Sequence, residues 1–262
     1  MRPAFIDGPA GPLFTLYHPP ADGASDRGDL IFLAPFAEEL NRSRHMIART
    51  ARRFAASGTG VLLLDLYGTG DSAGSFGEAR LALWQDDIRA ARLWLEQEGR
   101  KDIGLWAMRS GALLLPGLLD DGSWTKLLLW QPVTAGKSFL TQFLRVGVAA
   151  GLTTGETAPS PRDRLKAGET VEIAGYDLTS ELAADLETAV LTPPPGHLSL
   201  HWLEIVASAP QPSPMQAKAA AEWRAAGHDV VQKALKGPQF WTLQEPEWAP
   251  EMIEASLLMG AP

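Results

Sequence analysis

The residues best placed to do chemistry in this chain are Ala107-Met108-Arg109-Ser110-Gly111, where a short apolar run gives way to a helical pattern. A strand that turns sharply into a helix presents the side chain at the bend to a cleft. The backbone there packs so tightly that the positions two before and two after must be small. With Arg109 at the bend, those positions are Ala107 and Gly111, and both fit. With Ser110 at the bend, Met108 falls where a small residue is required. Arg109 is therefore the expected protruding residue. A serine, cysteine or aspartate there would attack a substrate. A guanidinium stays protonated and offers donors only, so it cannot accept an acyl group. It can grip a carboxylate or phosphate through two parallel hydrogen bonds.

Acyl transfer would also need an acid after the strand expected at 198–206 and a histidine after the strand expected at 230–234. The segment 207–214 holds no carboxylate, and 237–241 reads Gly-Pro-Gln-Phe-Trp. His228 precedes its strand, at the end away from a carboxyl-terminal cleft, and reads as a surface or capping residue. No catalytic residue is assigned on this reading. In an alternative reading the bend shifts by one, Ser110 is the nucleophile of an esterase or acyl hydrolase, and His45 or a residue of 134–192 is the base. A third reading is a non-catalytic scaffold.

A cation at a helix N-terminus needs an anion beside it. Glu38 or Glu39 is the expected internal partner for Arg109, and a ligand carboxylate or phosphate is the rival. Phe36, Glu38, Glu39, Arg109, Ser110 and Trp241 form the expected binding cleft, with Phe240 and Trp241 as its floor. The glycines at 68, 70 and 74 lack the Gly-Lys-Ser/Thr ending of a phosphate loop, so they read as a tight turn. Asp86 and Asp87 are expected to anchor that turn or to face solvent. The five histidines lack ligand spacing, so neither a metal nor a cofactor is expected.

The elements that would position these residues follow an α/β rhythm. Apolar runs at 30–34, 61–65, 103–106, 126–130, 198–206 and 230–234 alternate with helical patterns from 43, around 84–95, and at 110–119, 215–226 and 249–259. Residues 4–7 and 13–17 read as an antiparallel hairpin at the sheet edge. The rhythm breaks at 134–192, where helix-like 139–150, a Gly/Thr/Pro-rich loop, a short 171–173 element and a helix near 178–190 read as an inserted cap. The expected organisation is a core of 1–133 and 193–262 with a 134–192 cap.

Several strings make the resemblance specific. They are the 35–41 run Pro-Phe-Ala-Glu-Glu-Leu-Asn with Arg44, and Asp65 with Gly68-Thr69-Gly70-Asp71-Ser72. The others are Trp84-Gln85-Asp86-Asp87, the 106–112 bend, Trp130-Gln131-Pro132, Ala174-Gly175-Tyr176 and Gly237-Pro238 with Phe240-Trp241. The chain resembles the second type of exosortase-A-system-associated hydrolase, a branch of the α/β-hydrolase superfamily. The resemblance covers most of the chain. It implies an α/β-hydrolase fold: a mainly parallel sheet, helices on both faces and a helical cap. It also implies a bacterial protein encoded alongside protein-sorting (PEP-CTERM) and exopolysaccharide genes. The loop bearing Glu38 and Glu39 corresponds to the one that supplies an oxyanion-hole N–H in active relatives of the fold. A hydrolase label inherited from fold carries no activity with it.

Bulk properties narrow the partners. A net charge of -8 disfavours nucleic acid and anionic lipid. The absence of cysteine removes disulfides, thiolate metal sites and cysteine nucleophiles. The first residues do not read as a signal peptide, and no apolar run is long enough to span a bilayer, so a cytoplasmic location is expected. The expected partner is a small anionic or glycan-related ligand, or a protein of the exosortase system.

Overall fold

The computed structural model describes residues 1–120, 122–149, 159–207 and 210–259. The chain opens with the expected hairpin, β1 (Arg2–Gly8) and β2 (Gly11–His18), paired antiparallel from Arg2 opposite Tyr17 to Gly8 opposite Gly11. Then come β3 (Asp29–Leu33), α1 (Glu38–Ala56), β4 (Gly60–Leu64), α2 (Leu81–Gln97) and β5 (Ile103–Met108). A 3-10 turn over Arg109–Leu114 leads into α3 (Leu115–Leu119) and β6 (Lys126–Trp130). Between β6 and the next sheet strand lie α4 (Gly136–Ala149), α5 (Pro161–Lys166), β7 (Val171–Ile173), β8 (Tyr176–Leu178) and α6 (Ser180–Thr188). The chain ends with β9 (Ser199–Val206), α7 (Pro214–Ala225), β10 (Asp229–Lys236) and α8 (Pro250–Leu257).

Eight strands form one sheet in the order β1-β2-β4-β3-β5-β6-β9-β10. From β4 to β10 all neighbours run parallel. β3 and β5 lie at the centre, and their residues are all buried, so they read as continuous apolar runs with no alternation. The strand order reverses beside β3 and β5. Parallel sheets open a crevice at the carboxyl ends of the strands at such a reversal, and both Arg109 and the start of α1 lie there.

Helices cover both faces. One core packs α2, α3 and the 134–192 elements on the sheet, with Leu105, Leu127, Leu129 and Trp202 facing them. The other packs α1 and α8 on the opposite face, centred on Trp106, Trp130 and Phe240. The rings of Trp106 and Trp130 meet edge to face, 4.7 Å apart.

Local differences from the expected elements have physical causes. α1 starts at Glu38, five residues before 43, so Glu38 and Glu39 occupy its first turn, where carboxylates complement the helix dipole. The helix expected at 110–119 is a 3-10 turn followed by a single α-turn, because Pro116 provides no N–H to continue an α-helical ladder begun at Arg109. Tyr176–Leu178 folds back on Val171–Ile173 as a hairpin, which delays the helix expected from 178 until Ser180. Ala174 and Gly175 turn that hairpin, both with positive φ. α5 was not legible, and much of the Gly/Thr/Pro-rich loop, with residues 208 and 209, lies outside the described residues. Among the described residues no helix is long and apolar enough to cross a membrane.

Candidate functional site

Arg109 is where the chain bends. It follows β5 directly, with φ of 52°, a left-handed conformation that costs a non-glycine residue about 1–3 kcal/mol. The surroundings enforce it. The Arg109 carbonyl accepts from Val133 N–H at 3.0 Å, and Ala107 is fully buried. A methyl group on Gly111 would lie 2.3 Å from the Leu33 carbonyl oxygen of β3. The register chosen from small flanking residues is the register observed.

The guanidinium pairs with Glu39 of the two expected carboxylates. Nε lies 3.1 and 3.2 Å from the two Glu39 oxygens, and Nη2 lies 2.9 Å from Oε1. The side chains are 16% and 21% exposed, so the pair is neither fully screened nor fully desolvated. Behind it, the Trp241 ring lies 5.3 Å from the guanidinium carbon. Nη1 is left with a 3.5 Å approach to the Gln131 carbonyl. Gln131 is also bent to positive φ, and its side-chain oxygen accepts from Ile205 N–H at 2.7 Å. Glu38 turns elsewhere, accepting from Asn41 Nδ2 at 3.1 Å beside the Tyr176 hydroxyl.

Ser110 points to a different place. Its Oγ accepts from Phe36 N–H at 2.8 Å. In the fold's active members, amides of this loop and of the residue after the bend receive the oxyanion. Here the Ser110 hydroxyl engages the loop amide. The cavity it lines, of about 250 Å³, is bounded by Phe36, Phe76, Trp84, Leu114, Tyr176 and Leu186 among others, and no described histidine lines it. His45, the base of the alternative reading, faces away, its Nε2 2.7 Å from the Glu247 carbonyl oxygen and its ring against Trp248.

Arg109 lines a second cavity, of about 520 Å³, with Glu38, Glu39, Phe36 and Trp241. The expected cleft is thus two spaces with Phe36 as their common wall. Trp241 is 2% exposed and presents little surface to the larger space. Phe240 does not floor it, because that ring is buried against Trp130. Arg42, Gln131, Gln142, Gln239 and Thr242 complete the polar lining, and Phe139 and Phe143 also line it. Gln131 stood only within a string that carries the resemblance, and Gln142 and Gln239 were given no role, since isolated amides carry no spacing signal.

Two further groups were placed or missed by sequence. His228 is buried rather than on the surface, and its Nδ1 accepts from Leu198 N–H at 3.2 Å. Glu204 lies within β9, ahead of the loop in which an acid was expected. It is buried and accepts from Ser213 N–H at 2.9 Å.

The glycine turn is anchored as expected by Asp87, whose Oδ2 accepts from Tyr67 N–H at 2.8 Å. Trp84 Nε1 donates to the Tyr67 carbonyl, and Asp86 pairs outside with Arg89. Gly70 is required there, because a side chain would collide with the Asp65 carboxylate. Burial pushes the Asp87 carboxyl up to about 6; the Tyr67 N–H opposes the rise and the neighbouring Asp86 charge adds to it. The folded protein therefore holds this proton more tightly than the unfolded chain. Stability should fall as pH rises from about 4 to about 6, by about 2 kcal/mol, and stay lowered above that. Asp87→Asn should remove this slope; equal slopes in denaturant titrations of the two proteins at stepped pH would contradict it.

No protein-family model matches the chain, and no curated protein sequence matches it. Solved structures do. Est1E from Butyrivibrio proteoclasticus, solved with ferulic acid, is 14% identical with a TM-score of 0.65, covering 98% of this chain and 96% of its own. Mouse alpha/beta hydrolase domain-containing protein 10 is 13% identical with a TM-score of 0.58, covering 99% and 96%. A soluble variant of monoglyceride lipase from Saccharomyces cerevisiae is 10% identical with a TM-score of 0.59, covering 98% and 92%. These similarities, with the sheet order and the strained bend after β5, identify the architecture of the chain as the α/β-hydrolase fold.

Proposed function

We propose that this protein is a hydrolase-fold binding protein. Its larger cavity receives a small anionic or glycan-related ligand beside Arg109, and it works alongside an exosortase-type sorting and exopolysaccharide system. The observation that carries the reading is the side chain at the bend: a guanidinium, tied to Glu39, occupies the place from which a nucleophile would attack. The cavity chemistry supports a polyhydroxylated or singly charged ligand. Two carboxylates and two guanidiniums cancel in formal charge and, with three glutamine amides and the Thr242 hydroxyl, offer donors and acceptors for hydroxyls. Phe143, only partly buried, supplies an apolar surface for a ring, with the nearly buried Phe139 and Trp241 in the same wall. The genomic association rests on the residues that carry the resemblance. The 134–192 segment serves as the cap of this cleft, contributing Phe139, Gln142 and Phe143.

The rival reading, acyl hydrolysis through Ser110, is favoured by the esterase and lipase names among the structural neighbours. Against it stand the Phe36 N–H held by the Ser110 hydroxyl and the orientation of His45. A fluorophosphonate probe, which needs an activated hydroxyl, separates the two. We expect no labelling of Ser110 after prolonged incubation, with saturable binding of acidic oligosaccharides that Arg109→Met weakens about tenfold. Stoichiometric phosphonylation of Ser110 would overturn the proposal.

A further inference from the structure

The smaller cavity is apolar over most of its wall and polar at its mouth, and nothing in the proposed function uses it. Its apolar lining includes Leu66, Phe76, Leu81, Trp84, Leu114 and Leu186. Trp84, Leu114 and Leu186 are buried. At the mouth lie Arg44, Asn41, Thr69 and the Tyr176 hydroxyl. Tyr176 sits on the β7–β8 hairpin and Leu186 on α6, so the elements between β6 and β9 close the cavity over the strand ends.

Arg44 is the distinctive feature. Most of the other arginines named so far are committed: Arg109 to Glu39, Arg89 to Asp86, and Arg42 to the Thr242 carbonyl. Arg44 makes no ion pair among the described residues. Among the described residues its one side-chain hydrogen bond is a long 3.5 Å contact to Asn41 Oδ1. The carboxylates around it bond elsewhere: Asp65 feels the Arg44 charge without pairing with it and accepts from Asp71 N–H at 3.1 Å, and Glu38 accepts from Asn41. An uncommitted guanidinium at the lip of an apolar cavity matches an anionic head with an apolar tail.

Size limits the tail. An apolar cavity of about 150 Å³ holds one benzene, and this one is about 250 Å³. That suits a chain of about eight to ten carbons. Ser110 and Gly111 also line the cavity, and Ser110 Oγ accepts from Phe36 N–H. We infer that this cavity is a binding site for a medium-chain monocarboxylic acid, its tail among Trp84, Leu114 and Leu186 and its carboxylate on Arg44 at the mouth. The site is independent of the Arg109 reading, because Arg109 lies on the other side of Phe36 and lines only the larger space.

The test is calorimetric titration of the full chain with 8-bromooctanoate at pH 8, followed by bromine anomalous scattering from a soaked crystal. We expect saturable one-site binding and a bromine peak between Trp84 and Leu186. Arg44→Gln should weaken octanoate roughly three- to tenfold while leaving 1-octanol unchanged. Leu81→Trp, verified as folded by its melting transition, should abolish binding of both, and Arg109→Met should leave octanoate binding as it is. Absence of saturable binding, a bromine peak elsewhere, or equal octanoate affinity in Arg44→Gln would each overturn the inference. A loss confined to Arg109→Met would assign the acid to the larger cavity and overturn it likewise. Retained octanoate binding beside failed oligosaccharide binding would sink only the proposed function.

Discussion

A Gly111→Ala variant is expected to lose about 4 kcal/mol of stability or to fail to accumulate as folded protein. The added methyl would lie 2.3 Å from the Leu33 carbonyl oxygen and 2.8 Å from that of Ala34. Both acceptors are backbone at the end of β3, a central strand held by β4 on one side and β5 on the other. Neither can move without breaking the sheet, and the bend cannot retreat because the Arg109 carbonyl is fixed by Val133 N–H. Overpacking against a rigid backbone is therefore relieved only by unfolding. Urea denaturation of the purified variant measures the cost. A loss below about 1 kcal/mol would mean the bend is not packed against β3, contradicting the register with Arg109 at its tip.

Glu39→Ala is expected to cost about 2 kcal/mol. Full burial would make the loss of one partner cost about 3–5 kcal/mol, and the partial exposure of both side chains reduces that. The residual damage is an unpaired guanidinium on a strained backbone. Arg109→Gly in the Glu39→Ala background should recover about 1 kcal/mol, because it removes the orphaned charge and relaxes the left-handed residue at once. A thermodynamic cycle over the four proteins isolates the pair. If Glu39→Ala alone changes stability by less than about 0.5 kcal/mol, solvent already satisfies Arg109 and the pair is not what seats the cation.

The site was legible in the sequence where steric rules act over a few residues. Ala107 and Gly111 gave the register because a tight bend admits no bulk at those two places, whatever the rest of the fold does. Arg109 then announced a need for a carboxylate, and the two candidates were adjacent in the chain. Choosing Glu39 over Glu38 was beyond the sequence: one helical step of rotation in α1 sends one side chain toward Arg109 and the other toward Asn41 and Tyr176. Tyr176 and Arg44 were noticed only as strings shared with a family. The placement of Tyr176 at the mouth of a cavity depends on a hairpin, β7–β8, whose strands have three residues each, too few for their alternation to stand out in the sequence.

Local periodicity and composition by themselves determined the alternating strands and helices, the hairpin at the sheet edge, the glycine turn after β4 and which residue stands at the bend. Each of these follows from short-range sterics or from burial of a repeating apolar face. Tertiary structure alone decided that Ser110 faces Phe36 and not Arg109, that Phe240 belongs to the core, and that one expected cleft is two cavities divided by Phe36. Those outcomes depend on the rotation of elements far apart in sequence, and close packing, not residue type, sets that rotation.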